Sequence, residues 1–255
     1  MQVKYEVKGS VAQITLDRPE AMNAMNPEMY QLIDESLLKL DGDPAVRVGI
    51  ITGAGDQAFT AGADLKRMHT EEEREQPWQP WRPHRWEFGL SISKPLIAAV
   101  NGYALAGGLE LALMCDIRLA SATAQFGTPE VKWNILHGYG ALRLPQMMSL
   151  SDAFLMLLTG QFISADEALR MGLVSRVVPP LELIPAAYSI ADAISQNGPL
   201  AVRMTKELVY RGLDMSLEDA LRIYSAYYQI IGQTADQREG TTAFAQKRKP
   251  KFTDS

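Results

Sequence analysis

The sequence predicts an α/β fold, with a core of strands and helices over residues 1–190 and a helical region over 191–255. Three observations carry this. Short apolar runs of strand character alternate with helical patterns up to about residue 145, and almost all later patterning is helical. The chain of 255 residues is 47% hydrophobic and 22% charged, a globular composition in a chain long enough to bury a sizeable core. No internal repeat is present.

Val3 to Val7 and Val11 to Leu16 alternate around Gly9 and Ser10, the pattern of a β-hairpin, and Asp17-Arg18-Pro19 ends the second strand. Asn26 before Pro27 gives a helix cap and a first helical residue. Met29, Leu32, Ile33, Leu37 and Leu40 then recur at helical spacing, so a helix is expected over 27–40, stopped by Asp41-Gly42-Asp43-Pro44. Val46 to Thr52, Leu96 to Val100 and Ile117 to Ala120 read as buried strands, with a helix around Gly108 to Cys115 between the last two. Later, Ser149 with Asp152, Ser164 with Glu167, and Ser216 with Asp219 have capping-box spacing before apolar runs. Gly172 closes one of these helices, and Asn197-Gly198-Pro199 separates two others.

The formal charge of −5 argues against a general nucleic-acid partner, which needs clustered Lys and Arg. The longest stretch without charge, Pro95 to Leu109, contains Asn101 and glycines and falls short of the ~20 apolar residues that span a bilayer. The N-terminus lacks the apolar segment of an export signal, so a cytoplasmic location is expected. One cysteine, Cys115, forms neither an internal disulfide nor a thiolate metal cage. His69, His84 and His137 have no ligand spacing, so no metal is expected.

Two strand-to-helix connections are candidates for chemistry: Phe59 to Lys66 and Asn101 to Glu110. Their small residues let a ligand approach the backbone, and a helix start aims free N–H groups at it. Side by side, two such loops could offer two donors to one developing oxyanion. Glycine pairs alone fit ordinary tight turns about as well. Glu110 follows the pair Gly107-Gly108 on an otherwise apolar helix, and Glu130 comes after the turn Phe126-Gly127-Thr128-Pro129. Two carboxyls in a dry site push one pKa up and can handle protons around one water. The plainer alternative has Glu110 capping its helix and Glu130 in a surface ion pair.

These residues resemble the enoyl-CoA hydratase/isomerase (crotonase) family. The resemblance lies in Asn23-Ala24-Met25-Asn26, Ala58 to Lys66, Lys94 to Gly102, Ala106 to Ala112, Cys115-Asp116-Ile117-Arg118 and Phe126 to Glu130, in order along the whole chain. It implies a spiral of ββα turns with a C-terminal helical oligomerisation region, assembled as a homotrimer or a dimer of trimers. It implies an acyl-CoA thioester substrate and no separate cofactor, coenzyme A being part of the substrate. Carried over, the oxyanion donors are the N–H groups of Ala63 and Gly107, and Glu110 and Glu130 act on a water. Ala61, Ala63, Asp64, Leu65, Lys66 and Gly107 would line the CoA site, with Lys66 reaching the nucleotide. Holding both glutamates favours hydration of a 2-enoyl-CoA, or the reverse; an isomerase, a thioester hydrolase and a non-catalytic acyl-CoA binder remain alternatives.

Two stretches depart from the family. Where hydratases carry a Pro-Gly-x-Gly-Gly turn, this chain has His137-Gly138-Tyr139-Gly140-Ala141; Gly138 keeps the turn, and His137 and Tyr139 are expected near the acyl pocket. The run Pro77 to Trp86 holds Trp78, Trp81 and Trp86, expected to form either a rigid pocket wall or core and interface packing. A walled pocket would favour branched or ring-bearing acyl groups.

Overall fold

β1 (Val3–Lys8) and β2 (Val11–Leu16) form the expected hairpin, with Tyr5 opposite Ile14. This is seen in a computed structural model whose described residues are 2–65 and 92–255. The Asn26 side chain accepts the Met29 N–H at 2.9 Å and opens α1 (Pro27–Gly42), which buries Met29, Ile33, Leu37 and Leu40 on one face.

The chain then repeats one pattern. β3 (Val48–Gly53) leads to β4 (Ala58–Thr60), β5 (Leu96–Val100) to β6 (Tyr103–Leu105), and β7 (Ile117–Ser121) to β8 (Gln125–Gly127). The first strand of each pair joins a six-stranded sheet, ordered β1-β2-β3-β5-β7-β10, and the second joins a four-stranded sheet, β4-β6-β8-β9. Successive turns stack in parallel, Ile50 beside Ile97 and Ile97 beside Ile117, which makes the architecture a ββα spiral. The second β-pair is followed by α2 (Gly107–Met114), buried from Gly108 to Met114.

β3 and β5 are buried at every residue, as strands covered on both faces must be. One face, with Ile51, Ala98 and Val100, packs with α1 and α2 residues. The other, with Val48, Ile50, Ile97 and Leu119, is covered by Leu183, Ala187 and Ala191 of α6 (Leu183–Ser195). A division at residue 190 therefore falls inside a helix that packs on the sheet.

The remaining helices are α3 (Tyr139–Met147), α4 (Leu150–Thr159), α5 (Ala165–Arg170), α7 (Pro199–Gly212), α8 (Leu217–Gly232) and α9 (Ala235–Ala245). Ser149, Ser164 and Ser216 each accept the expected N–H, but only Ser164 with Glu167 closes both halves of a capping box. The shorter aspartates take a hydrogen bond from the serine hydroxyl instead.

The region after residue 145 is not as purely helical as its patterning predicts. β9 (Phe162–Ser164) pairs antiparallel with β8, and β10 (Arg176–Val178) extends the large sheet beside β7. Three-residue strands are too short to show a period; their partners define them. Among the described residues no helix is long and apolar enough to cross a membrane.

Candidate active site

The first loop leaves β4 at Thr60 and is held on both sides. Ala61 N–H donates to Met22 O at 3.0 Å, Met25 N–H to Gly62 O at 2.8 Å, and Asp64 N–H to Met25 O at 2.9 Å. Asn23, fully buried, donates to Ala54 O and Ala58 O, and Asn101 donates to Gly55 O and Ala58 O. Both asparagines thus clamp the turn that precedes the loop. Gly62 has φ +92°, and a Cβ there would lie 2.7 Å from Leu105 O and 3.1 Å from Gly107 N. A Cβ on Gly108 would overlap Thr60 O, so only glycine lets the start of α2 sit against the end of β4.

The two glycine-bearing loops therefore touch. Neither the Ala63 N–H nor the Gly107 N–H engages a backbone acceptor in the described chain. Gly107 is the first residue of α2, where the helix end adds partial positive charge. Just before it, Ala106 holds φ 53° and ψ −127°, a conformation costly for a residue with a side chain and found where a site is held under strain.

Glu110 sits one turn into α2, a helix that is otherwise apolar, and is only 4% exposed. Its Oε1 accepts the Gly140 N–H at 3.2 Å, at the start of α3. Burial pushes the Glu110 carboxyl above its ordinary value; His137 and the Gly140 N–H pull it partly back, and Glu130 adds to the rise. Glu130 stands on a 3-10 turn, Pro129–Trp133, directly after β8. Its Oε1 lies 2.5 Å from His137 Nδ1, and its Oε2 is buried without a partner among the described residues. The same Nδ1 lies 3.6 Å from Glu110 Oε1. The two carboxylates, 20 positions apart in sequence, thus converge on one imidazole nitrogen.

The structure seats His137 between the two glutamates, 4% exposed. Tyr139 instead packs against the main core, its hydroxyl buried and its pKa pushed up by burial. Gly138 passes close to Glu110, since a Cβ there would come 3.1 Å from Oε1.

Asp64 Oδ2 accepts both terminal nitrogens of Arg18 at 3.2 Å, which ties its side chain to the loop before α1. Leu65 is 58% exposed at the edge of the same loop. Lys66, His69, His84 and the tryptophan run Trp78, Trp81 and Trp86 lie outside the described residues. Cys115 is buried, and burial pushes its thiol up to about 12, which leaves it without thiolate reactivity.

With this geometry in view, the enoyl-CoA hydratase/isomerase family matches residues 6–255. The chain is 42% identical over 253 residues to an (E)-benzylidenesuccinyl-CoA hydratase of Thauera aromatica, covering 99% of both chains. It is 41% identical over 252 residues to a short-chain-enoyl-CoA hydratase of Clostridium acetobutylicum, covering 97% of this chain and 95% of that one. The crystal structure of an enoyl-CoA hydratase from Bacillus anthracis superimposes with a TM-score of 0.91 at 34% identity, over 100% of each chain.

Proposed function

The chain belongs to the enoyl-CoA hydratase/isomerase family, and from that premise we propose that it is an enoyl-CoA hydratase, a lyase that adds water across the 2,3-double bond of a 2-enoyl-CoA. The observation that carries the reading is the convergence of Glu110 and Glu130 on one buried point, with two loop amides that have no backbone acceptor among the described residues. The Ala63 and Gly107 N–H groups hold the thioester oxygen and polarise the conjugated double bond, leaving C3 electrophilic. One carboxylate takes a proton from water as its oxygen attacks C3, and negative charge gathers on the thioester oxygen. The other carboxyl then gives its proton to C2, and the carbonyl re-forms. Overall, one water is consumed and a 3-hydroxyacyl-CoA results.

Asp64, through Arg18, keeps the first loop in register, with Ala61 and Leu65 on its CoA side; Lys66 is assigned to the nucleotide from its place in the sequence alone. A buried, unpaired Cys115 and a CoA-thioester substrate fit a cytoplasmic setting. For assembly we place three copies around a common axis. α8 has no buried residue, yet Leu217, Leu221, Tyr224 and Tyr228 form one exposed apolar stripe at helical spacing. For the acyl group we propose a branched or ring-bearing chain. The supports are Trp78, Trp81 and Trp86 in the sequence and the relative named for benzylidenesuccinyl-CoA.

The test compares crotonyl-CoA with a ring-bearing enoyl-CoA, following loss of the conjugated thioester absorbance. Both should be consumed, with higher kcat/KM for the ring-bearing substrate. Equal kcat/KM would overturn the acyl assignment alone, whereas loss of neither absorbance would overturn the hydratase reading.

A further inference from the structure

Two carboxylates suffice for the proton steps just described, so the imidazole between them is an addition that needs its own account. His137 is held there by geometry. Its Nδ1 is 2.5 Å from Glu130 Oε1, short even for a charge-assisted contact, so one proton lies between the two atoms. Its Nε2 is buried without a hydrogen-bond partner among the described residues and rests against Gly140, where a Cβ would overlap the ring. Glycine at 140 therefore makes the space that the ring occupies. With Nδ1 facing both Oε1 atoms, the oxygen that Glu130 leaves unpartnered is Oε2.

We propose that His137 is a positioning residue that shares the proton of the glutamate pair through the Nδ1–Oε1 contact and turns Glu130 so that Oε2 meets the reacting water. This rests on the hydratase reading above. The proton moves between Nδ1 and Oε1 with no net gain or loss, so the reaction stays balanced. Among the described residues, the charged groups facing the ring are Glu110 from α2 and Glu130 from the 3-10 turn; Tyr139 and Arg143 follow on α3 itself. Two carboxylates favour a cationic ring, but a cation would leave an Nε2–H buried with no acceptor among the described residues. A neutral ring with its one proton at Nδ1, in the contact with Glu130 Oε1, avoids that cost.

Removing the ring takes a donor from the ionised form of Glu130, so that form becomes less stable. The acid limb of the kcat profile, where the base is lost by protonation, then moves to higher pH. Asn places a neutral N–H near the Nδ1 position, so His137→Asn should recover part of the kcat lost in His137→Leu and bring the acid limb part of the way back. With crotonyl-CoA as probe, His137→Leu should lower kcat by about 10²-fold, the scale of a misplaced catalytic group, with KM unchanged. A His137→Leu enzyme with wild-type kcat and both pH limbs intact would overturn the proposal, as would a rise in KM alone.

A second measurement covers variants that fail to fold. In wild-type protein labelled with 15N at its three histidines, one ring should show shifts between the neutral and cationic limits, and Glu130→Gln should move them. If every histidine titrates freely near the ordinary ~6.5 and none responds to Glu130→Gln, proton sharing is wrong. Should wild-type enzyme leave crotonyl-CoA and ring-bearing enoyl-CoA unchanged, the hydratase reading fails, and the ring shifts still decide the sharing.

Discussion

The amide side of the site, Gly62-Ala63 and Ala106 to Gly108, is made of backbone, whereas the carboxylate side, Glu110, Glu130 and His137, is made of side chains. The first is fixed by close packing: a loop at φ +92°, a strained Ala106, and a helix start pressed on Thr60. The second is fixed by burial and by a shared contact at His137 Nδ1. The amide side has nothing to titrate and is reached only by changing shape. The carboxylate side can be changed at constant shape, and its protonation is set by what surrounds it.

The difference gives an order of effects. Glu110→Gln and Glu130→Gln keep shape and remove proton transfer, so each should lower kcat by ~10²–10⁴-fold while thioester binding stays near wild type. Single-turnover kinetics with a separate binding titration check this. Gly108→Ala should cost ~10²–10³-fold in kcat by moving the Gly107 amide, with the pH limbs of the profile unmoved. A Gly108→Ala enzyme with shifted limbs would mean that the two sides are not separable.

Next in size is stability. Glu110 is held above its ordinary value by burial, so the folded state binds its proton more tightly than the unfolded chain does. Stability from this group is full below the unfolded value and is lost as pH rises toward the folded one. Glu110→Gln escapes that loss, so its Tm should match wild type in acid and exceed it increasingly above the ordinary carboxylate range. Thermal melts across that range decide it. The smallest effect lies far from both sides: Ser164→Ala breaks the one complete capping box among the described helices and should cost about 1 kcal/mol with kcat unchanged.

The parts of this architecture that can be read from sequence are those with a repeating pattern. β3 and β5 are mostly apolar runs because both their faces are covered, and α1 shows its cap and its stripe. β4, β6, β8, β9 and β10 are three residues each, and their partners in space, not their own residues, make them strands. Glu110 is conspicuous as an acid on an apolar helix, and the glycines beside it advertise close approach. His137 is harder. The glycines at 138 and 140 that flank Tyr139 hint at room for a ring, but that the ring faces Glu130 depends on how the 3-10 turn meets α3. Asn23 and Asn101 belong to the recognisable motifs, yet their contacts are clamps on a turn, which spacing alone does not distinguish from chemistry.

The central claim is that this site adds water to a conjugated thioester, and isotope labelling tests it directly. Crotonyl-CoA is incubated with the enzyme in D₂O enriched in H₂¹⁸O, and the product is weighed by mass spectrometry with the thioester intact. The account predicts a 3-hydroxyacyl-CoA bearing ¹⁸O at C3 and one deuterium at C2, formed far more slowly by Glu110→Gln and Glu130→Gln. Free CoA with ¹⁸O in a released carboxylate, or a shifted double bond with no ¹⁸O at all, would contradict it.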